Sequence, residues 1–244
     1  MKRLTAIDML SVWEQGLNQS PLYRSLLLLM STHPEHDSTH IAQWSIGQRD
    51  MNLLQLRKQL FGSTLVNTCL CPQCSERIEW QNNVDDILSE KIELNDSEFD
   101  LEIGSYKVRF RLPNSLDIES VIGTSDADKA QTDLVKRCVL GASNKGKEIS
   151  HTKLPKKVVL ALSKRVESLD PQAEIVIDLT CPSCAHKWNV LFDISRFLWT
   201  ELNVWAENTI QIVHMLASAY GWTEQQILSL SPVRRQLYLG MLRA

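Results

Sequence analysis

Two short cysteine pairs stand out in this chain: "CLCPQC" at 69–74, with Cys71 and Cys74, and "TCPSC" at 180–184, with Cys181 and Cys184. A CxxC turn lets two sulfurs converge on one ion, and the proline after the first cysteine of each pair pre-shapes that turn. Two such turns together supply the four thiolates of a closed tetrahedral zinc site. The stretches "VNTCLCPQCSERIEW" (66–80) and "VIDLTCPSCAHKWNV" (176–190) align without gaps. Ile78 and Trp80 fall opposite Trp188 and Val190, as in two equivalent β-hairpin knuckles. The expected cofactor is therefore one structural Zn2+ on Cys71, Cys74, Cys181 and Cys184.

Other uses of paired cysteines fit less well. A redox CxxC occurs once, at a strand-to-helix junction, whereas each pair here leads into a strand. An iron–sulfur cluster also takes four cysteines, but symmetrical hairpins favour a ribbon. Disulfides disagree with a reducing compartment. A closed four-thiolate site leaves no position for water or substrate, so it is not catalytic. No P-loop, no GxGxxG after a strand and no HExxH is present, and the expectation is a protein that is not an enzyme.

Cys69 and His186 flank the pairs and are open as auxiliary ligands, with a strand position expected for Cys69 and a surface position for His186. Cys138 reads as a core thiol. His33, His36 and His40 lie in the polar "THPEHDSTH", which reads as a solvated loop.

The elements holding these turns follow from periodicity. Thr5 caps a helix carrying Ile7, Leu10, Trp13 and Leu17, and Ser20-Pro21 opens a second. "GQRDMNLLQLRKQLFG" places Leu53, Leu56 and Leu60 on one face, with Arg49, Asp50, Arg57 and Lys58 mostly elsewhere, and ends at Gly62. "FDLEIGSYKVRFRL" alternates on both sides of Gly104-Ser105 and reads as a hairpin. Helices are expected at 127–140 and 155–166, separated by the polar loop "ASNKGKEIS", with "AEIVIDL" a strand entering Cys181. From Ser195 a long helix runs to Gly221; Thr223 and Gln226 form a capping box, and Ser231-Pro232 starts a last helix.

This order gives an α+β fold. Helical N- and C-terminal parts are joined by a split four-cysteine zinc ribbon carrying an inserted β-hairpin plus helices module. The expected parts are 1–65 (N-terminal helices), 66–90 (first knuckle), 91–172 (inserted module), 173–194 (second knuckle) and 195–244 (C-terminal helices). The insertion is large: Cys181 follows Cys74 by 107 positions, against about 15–20 in a compact ribbon. In this reading the metal staples the two helical ends to one scaffold.

Composition sets the class. The 244 residues are 43% hydrophobic and 23% charged, with net charge −3, an ordinary globular balance. That balance weighs against a nucleic-acid binder driven by bulk charge. No apolar run nears the roughly 20 residues of a membrane span, and Asp8 and Glu14 spoil a secretory signal. A cytoplasmic location is expected.

Three stretches carry a resemblance: "SIGQRDMNLLQLRKQLFG" (45–62) running into "CPQC"; "VRFRLPNSLDI" (108–118); and the segment 192–242 with its long helix, Tyr-Gly-Trp break and "SPVRR" start of the last helix. The chain resembles the baseplate hub assembly chaperones of phage-like contractile injection systems, relatives of those of large contractile-tailed phages. The likeness reaches from the N-terminal helices to the C-terminus, with no recognisable pattern in 119–170. It implies a non-catalytic protein that binds a baseplate hub, spike or other tail-assembly protein while a tail-like particle is built. No membrane, nucleic acid or small-molecule substrate is implied.

Trp199, Trp205, Tyr220 and Trp222, with Arg234 and Arg235, would suit an interface, but the first reading of each ring is core and of the arginines a solvated face. Two alternatives remain: a zinc-ribbon nucleic-acid- or transcription-associated protein, resting on "KLPKK" (153–157) with Lys164 and Arg165, and a permanent minor baseplate subunit.

Overall fold

A computed structural model describes residues 1–88 and 98–242. The expected boundary between the first knuckle and the inserted module, at 90/91, lies outside the described residues. In chain order the first elements are α1 (Ala6–Gly16), α2 (Pro21–Thr32), α3 (Ser38–Ala42), α4 (Ile46–Phe61), β1 (Thr64–Leu70), β2 (Arg77–Asn83) and α5 (Val84–Ile87). Next come β3 (Phe99–Ile103), β4 (Tyr106–Phe110), α6 (Ser115–Val121), α7 (Ala127–Arg137), β5 (Val139–Asn144), β6 (Lys147–Glu148) and α8 (Lys156–Leu169). The last are β7 (Val176–Thr180), β8 (Lys187–Leu191), α9 (Ile194–Tyr220), α10 (Glu224–Ser229) and α11 (Pro232–Leu242). The fold is α+β, with three small antiparallel sheets among the described residues, ordered β1-β2, β3-β4-β5-β6 and β7-β8.

The chain divides into two compact units. One joins Met1–Asp37 to the segment from Ile194 onward; the other is Ser38–Asp193. The expected N-terminal helical part is thus shared between them, α1 and α2 in the first unit and α3 and α4 in the second.

In the first unit α1 and α2 pack on α9. The "LLLLM" run lies in α2, where Leu26 to Leu29 are all buried. Gly16 meets the Trp199 ring so closely that a β-carbon would collide with it. Arg24 spans the same corner: its guanidinium lies 4.6 Å from the Trp199 centroid and donates to the carbonyls of Gly16 (2.8 Å) and Leu17 (2.7 Å). These bonds satisfy acceptors that the end of α1 leaves open.

At the other end of α9, Leu216, Ile227 and Leu239 form a core edged by Tyr220, Trp222 and Tyr238. Trp222 stacks on Tyr220 at 4.7 Å and meets Tyr238 edge-on at 4.8 Å. All three are half-buried at the edge of that core, as is Trp205 in its own cluster, whereas Trp199 is buried. Arg235, expected on a solvated face, is 8% exposed, because it shares the inward face of α11 with Leu239; Arg234 is exposed.

In the second unit Ser45 caps α4, accepting from the Gln48 N–H, and Leu53, Leu54 and Leu56 are fully buried. Arg57 was expected off the apolar face and is 3% exposed; it folds back to donate to the Gly62 carbonyl at 2.7 Å, sealing the helix end. The sheet β3-β4-β5-β6 packs Val108, Phe110 and Ala142 against Val135, Val158 and Leu162.

Two boundaries differ from the periodic reading. α7 stops at Arg137, and 139–144 pairs with β4. The stretch read as a polar loop is a hairpin turning at Lys145 and Gly146, both with positive φ (51° and 77°). Two successive positive φ angles mark a type I′ turn, which a lysine in the first position disguises.

The "RLPNSLD" stretch is structural glue. Asn114 caps α6 in a reciprocal box with Asp117, and Arg111 holds Asp117 with two bonds of 2.6 and 2.9 Å. The Pro113 carbonyl accepts from the Ile46 N–H at 3.1 Å, tying this segment to the start of α4. Asp170, 123 positions from Gly47, accepts the Gly47 N–H at 2.9 Å. A β-carbon at Gly47 would overlap the Asp170 carboxylate and come within 3.0 Å of the Ala173 amide nitrogen. Gly47→Ala is therefore expected to destabilise the protein by about 1–3 kcal/mol, read as a lower urea midpoint.

Candidate metal centre

Each cysteine pair sits at the tip of a two-stranded ribbon, and the two ribbons are built alike. Leu70 pairs with Arg77 at the end of β1-β2, and Thr180 with Lys187 at the end of β7-β8, in the same register. Both tips close with the same bonds. The Cys71 N–H donates to the Glu76 carbonyl (2.8 Å) and the Ser75 N–H to the Cys71 carbonyl (2.9 Å). The Cys181 N–H donates to the His186 carbonyl (2.8 Å) and the Ala185 N–H to the Cys181 carbonyl (2.9 Å).

Closing the tip this way forces the residue after each pair into the left-handed region: Ser75 has φ 61° and Ala185 φ 60°. A non-glycine residue there carries strain of about 1–2 kcal/mol. Ala185→Gly is expected to raise stability by about 0.5–1 kcal/mol at unchanged metal content; a fall in the urea midpoint would contradict this origin of the strain.

The tips meet. Cys71 Sγ lies 3.7 Å from Cys184 Sγ, and Cys74 Sγ 3.6 Å from Cys181 Sγ. All four sulfurs lie within 4.8 Å of one another and could hold a metal ion. No disulfide joins them. Cys71 and Cys181 are each 1% exposed and pack with Ile78, Trp80 and Trp188; Cys74 is exposed. The apolar residues at matching offsets in the two repeats thus roof the sulfur cluster.

Four crowded thiols cannot all ionise unaided. Burial acts to raise Cys181, but the amides of Cys184 and Ser183 and the neighbouring thiols draw it down to about 7. The Glu76 backbone favours a thiolate at Cys74, yet desolvation and its three sulfur neighbours push it up to about 12. A bound cation relieves that conflict, because metal binding displaces thiol protons.

The remaining candidates divide cleanly. Cys69 is a strand residue opposite Ile78 in the ladder and lies outside the four-sulfur group. His186 contributes its carbonyl to the knuckle, and its ring stacks on Trp188 with centroids 5.8 Å apart. Cys138 is wholly buried, and burial pushes its thiol up to about 12. His33 is not in a solvated loop: it is 8% exposed at the end of α2, with Nδ1 3.1 Å from Thr32 Oγ1 and from the Leu29 carbonyl. His40 lies in the short α3. No helix among the described residues is long and apolar enough to cross a membrane.

Two knuckles distant in an α+β chain thus bring four cysteines into one cluster able to hold a metal ion. Residues 27–199, more than half of the chain and including all four cysteines, match the family described as T4 bacteriophage base plate protein. The chain belongs to that family, and its role is associated with the baseplate. No curated protein matches it, and no solved structure does.

Proposed function

We propose that this protein is a non-catalytic assembly chaperone for the baseplate hub of a phage-tail-like contractile injection particle. It binds a hub, spike or other baseplate protein in the cytoplasm of the producing cell, and its knuckles are locked by one structural Zn2+. The family match across 27–199 carries the reading.

Zinc is supported by the donor set and its spacing. Thiolates about 2.3 Å from a central zinc stand about 3.8 Å apart at the corners of a tetrahedron, and the two close sulfur pairs are at 3.6 and 3.7 Å. A site closed by four thiolates serves scaffold rather than reaction.

Deleting the gene tests the function. Electron microscopy of the producing strain should show tubes and sheaths without complete baseplates; normal particles would overturn the reading. Mass spectrometry of purified wild-type particles separates a departing chaperone, absent from them, from a permanent minor subunit.

A further inference from the structure

The charges of this chain are segregated. From Lys145 to Arg165 there are seven lysines and arginines and one acid, Glu148. That segment is net +6 in a chain of net −3, so the remainder carries −9. Lys153, Lys156, Lys157, Lys164 and Arg165 are all exposed. None has an ion-pair partner among the described residues, whereas Lys107, Arg109, Arg111 and Arg137 of the same unit each reach a carboxylate.

The arrangement works against α8 itself. Lys156 and Lys157 occupy its first turn, which holds no acid, and Pro155 provides no side-chain cap. Positive charge at that end opposes the helix dipole. Leu160, one turn on, is 51% exposed between Lys157 and Lys164, and Glu167 is the one acid on this face, at its far end. The opposite face, with Val158, Val159 and Leu162, is spent on the core.

We propose that the outer face of α8 is a docking surface for an acidic segment of another protein of the baseplate, with carboxylates flanking an apolar side chain that covers Leu160. Charge complementarity selects the occupant. The outer face of α8 offers a nucleic acid no Phe, Tyr or Trp ring for a base to stack on, and its exposed Leu160 finds no apolar partner on a phosphate backbone. A membrane would need the apolar face that α8 has already buried. An acidic protein surface gains from the cations, and its apolar residue removes Leu160 from water.

This inference rests on the baseplate reading for the source of the partner, and the experiment separates the two. Assembly intermediates isolated from producing cells are treated with a carbodiimide, which joins a lysine amine directly to a carboxylate, and the links are mapped by mass spectrometry. Lys156, Lys157 or Lys164 should be linked to an aspartate or glutamate of one baseplate polypeptide. The triple reversal K156E/K157E/K164E should weaken that association at least tenfold while metal content stays unchanged and the thermal midpoint does not fall, since acids in the first turn of α8 suit its dipole; reversing Lys129 and Arg234 should not weaken it.

If the partner still binds the triple variant with undiminished affinity, the docking surface is wrong and the baseplate function stands. If no baseplate protein associates at all, the function reading fails first. Retention of a 30-base-pair DNA duplex or a 30-nucleotide RNA by wild type at 150 mM salt, lost in the triple variant, would overturn the proposal in favour of a nucleic-acid surface.

Discussion

In Cys181→Ser the four-cysteine centre is expected to lose its metal and both ribbons to unravel together, although they are far apart in sequence. Two-stranded ribbons are marginal alone in water, and among the described residues the apolar roof around the sulfurs is small, made of Ile78, Trp80 and Trp188. Structural zinc contributes about 10–16 kcal/mol in small zinc-dependent peptides, against about 5–15 kcal/mol for the whole stability of a typical domain. Wild-type protein should hold one zinc per chain by elemental analysis, and Cys181→Ser less than a tenth of that. Amide exchange across 66–80 and 176–190 should quicken by at least a hundredfold, about 2.7 kcal/mol. The β3-β4-β5-β6 sheet has a separate core and should keep its protection. A variant that lost metal but kept protected ribbons would show that the sulfurs are packing groups only.

Asp117→Ala should be the most damaging single change away from the cysteine cluster. Asp117 is 2% exposed and anchors Arg111, with Arg137 further off at 3.5 Å. It also accepts the Asn114 N–H at 3.0 Å. Removing it leaves Arg111 half-buried without its anion and opens the cap of α6, at a cost of about 3 kcal/mol.

The pH dependence gives the check. Burial acts to raise Asp117, but Arg111, the Asn114 amide and Arg137 outweigh it and hold its pKa below the ordinary value. A lowered folded-state pKa stabilises above the unfolded value of about 3.9, and that stabilisation fades as pH falls through the folded value. Wild type and Asp117→Ala should thus differ most near neutrality and converge in strong acid.

Asp170 and Asp50 have the opposite sign, since burial raises both. Their contributions are largest below the unfolded value and are lost as pH rises through the folded one. A gap between wild type and Asp117→Ala that stayed constant with pH would mean packing, not charge, is at stake.

What the sequence revealed was what its chemistry encodes locally. Cysteine spacing, the gapless repeat and caps such as Thr223 with Gln226 need only a few neighbouring residues to be recognised, and the α+β class follows from them. Hidden from it were features that depend on distant partners. Nothing near Asp170 says that it will meet Gly47, and nothing near Arg57 or Arg235 says that a charged side chain will turn inward. The β5-β6 hairpin was missed because a run of lysines looks solvated whether or not its backbone pairs. Ser75 and Ala185 were unremarked because neither residue type advertises a left-handed backbone.

The unit made from both ends of the chain has a consequence for biosynthesis. Leu26 to Leu29 leave the ribosome long before α9 exists to cover them. At roughly 5–20 residues per second, the intervening stretch takes roughly ten to thirty seconds to translate. Throughout that interval the side of α2 that α9 will cover has no partner but α1 beside it, while Ser38–Asp193 already has the means to close on itself. The unit built from the two ends is therefore the last to close during synthesis.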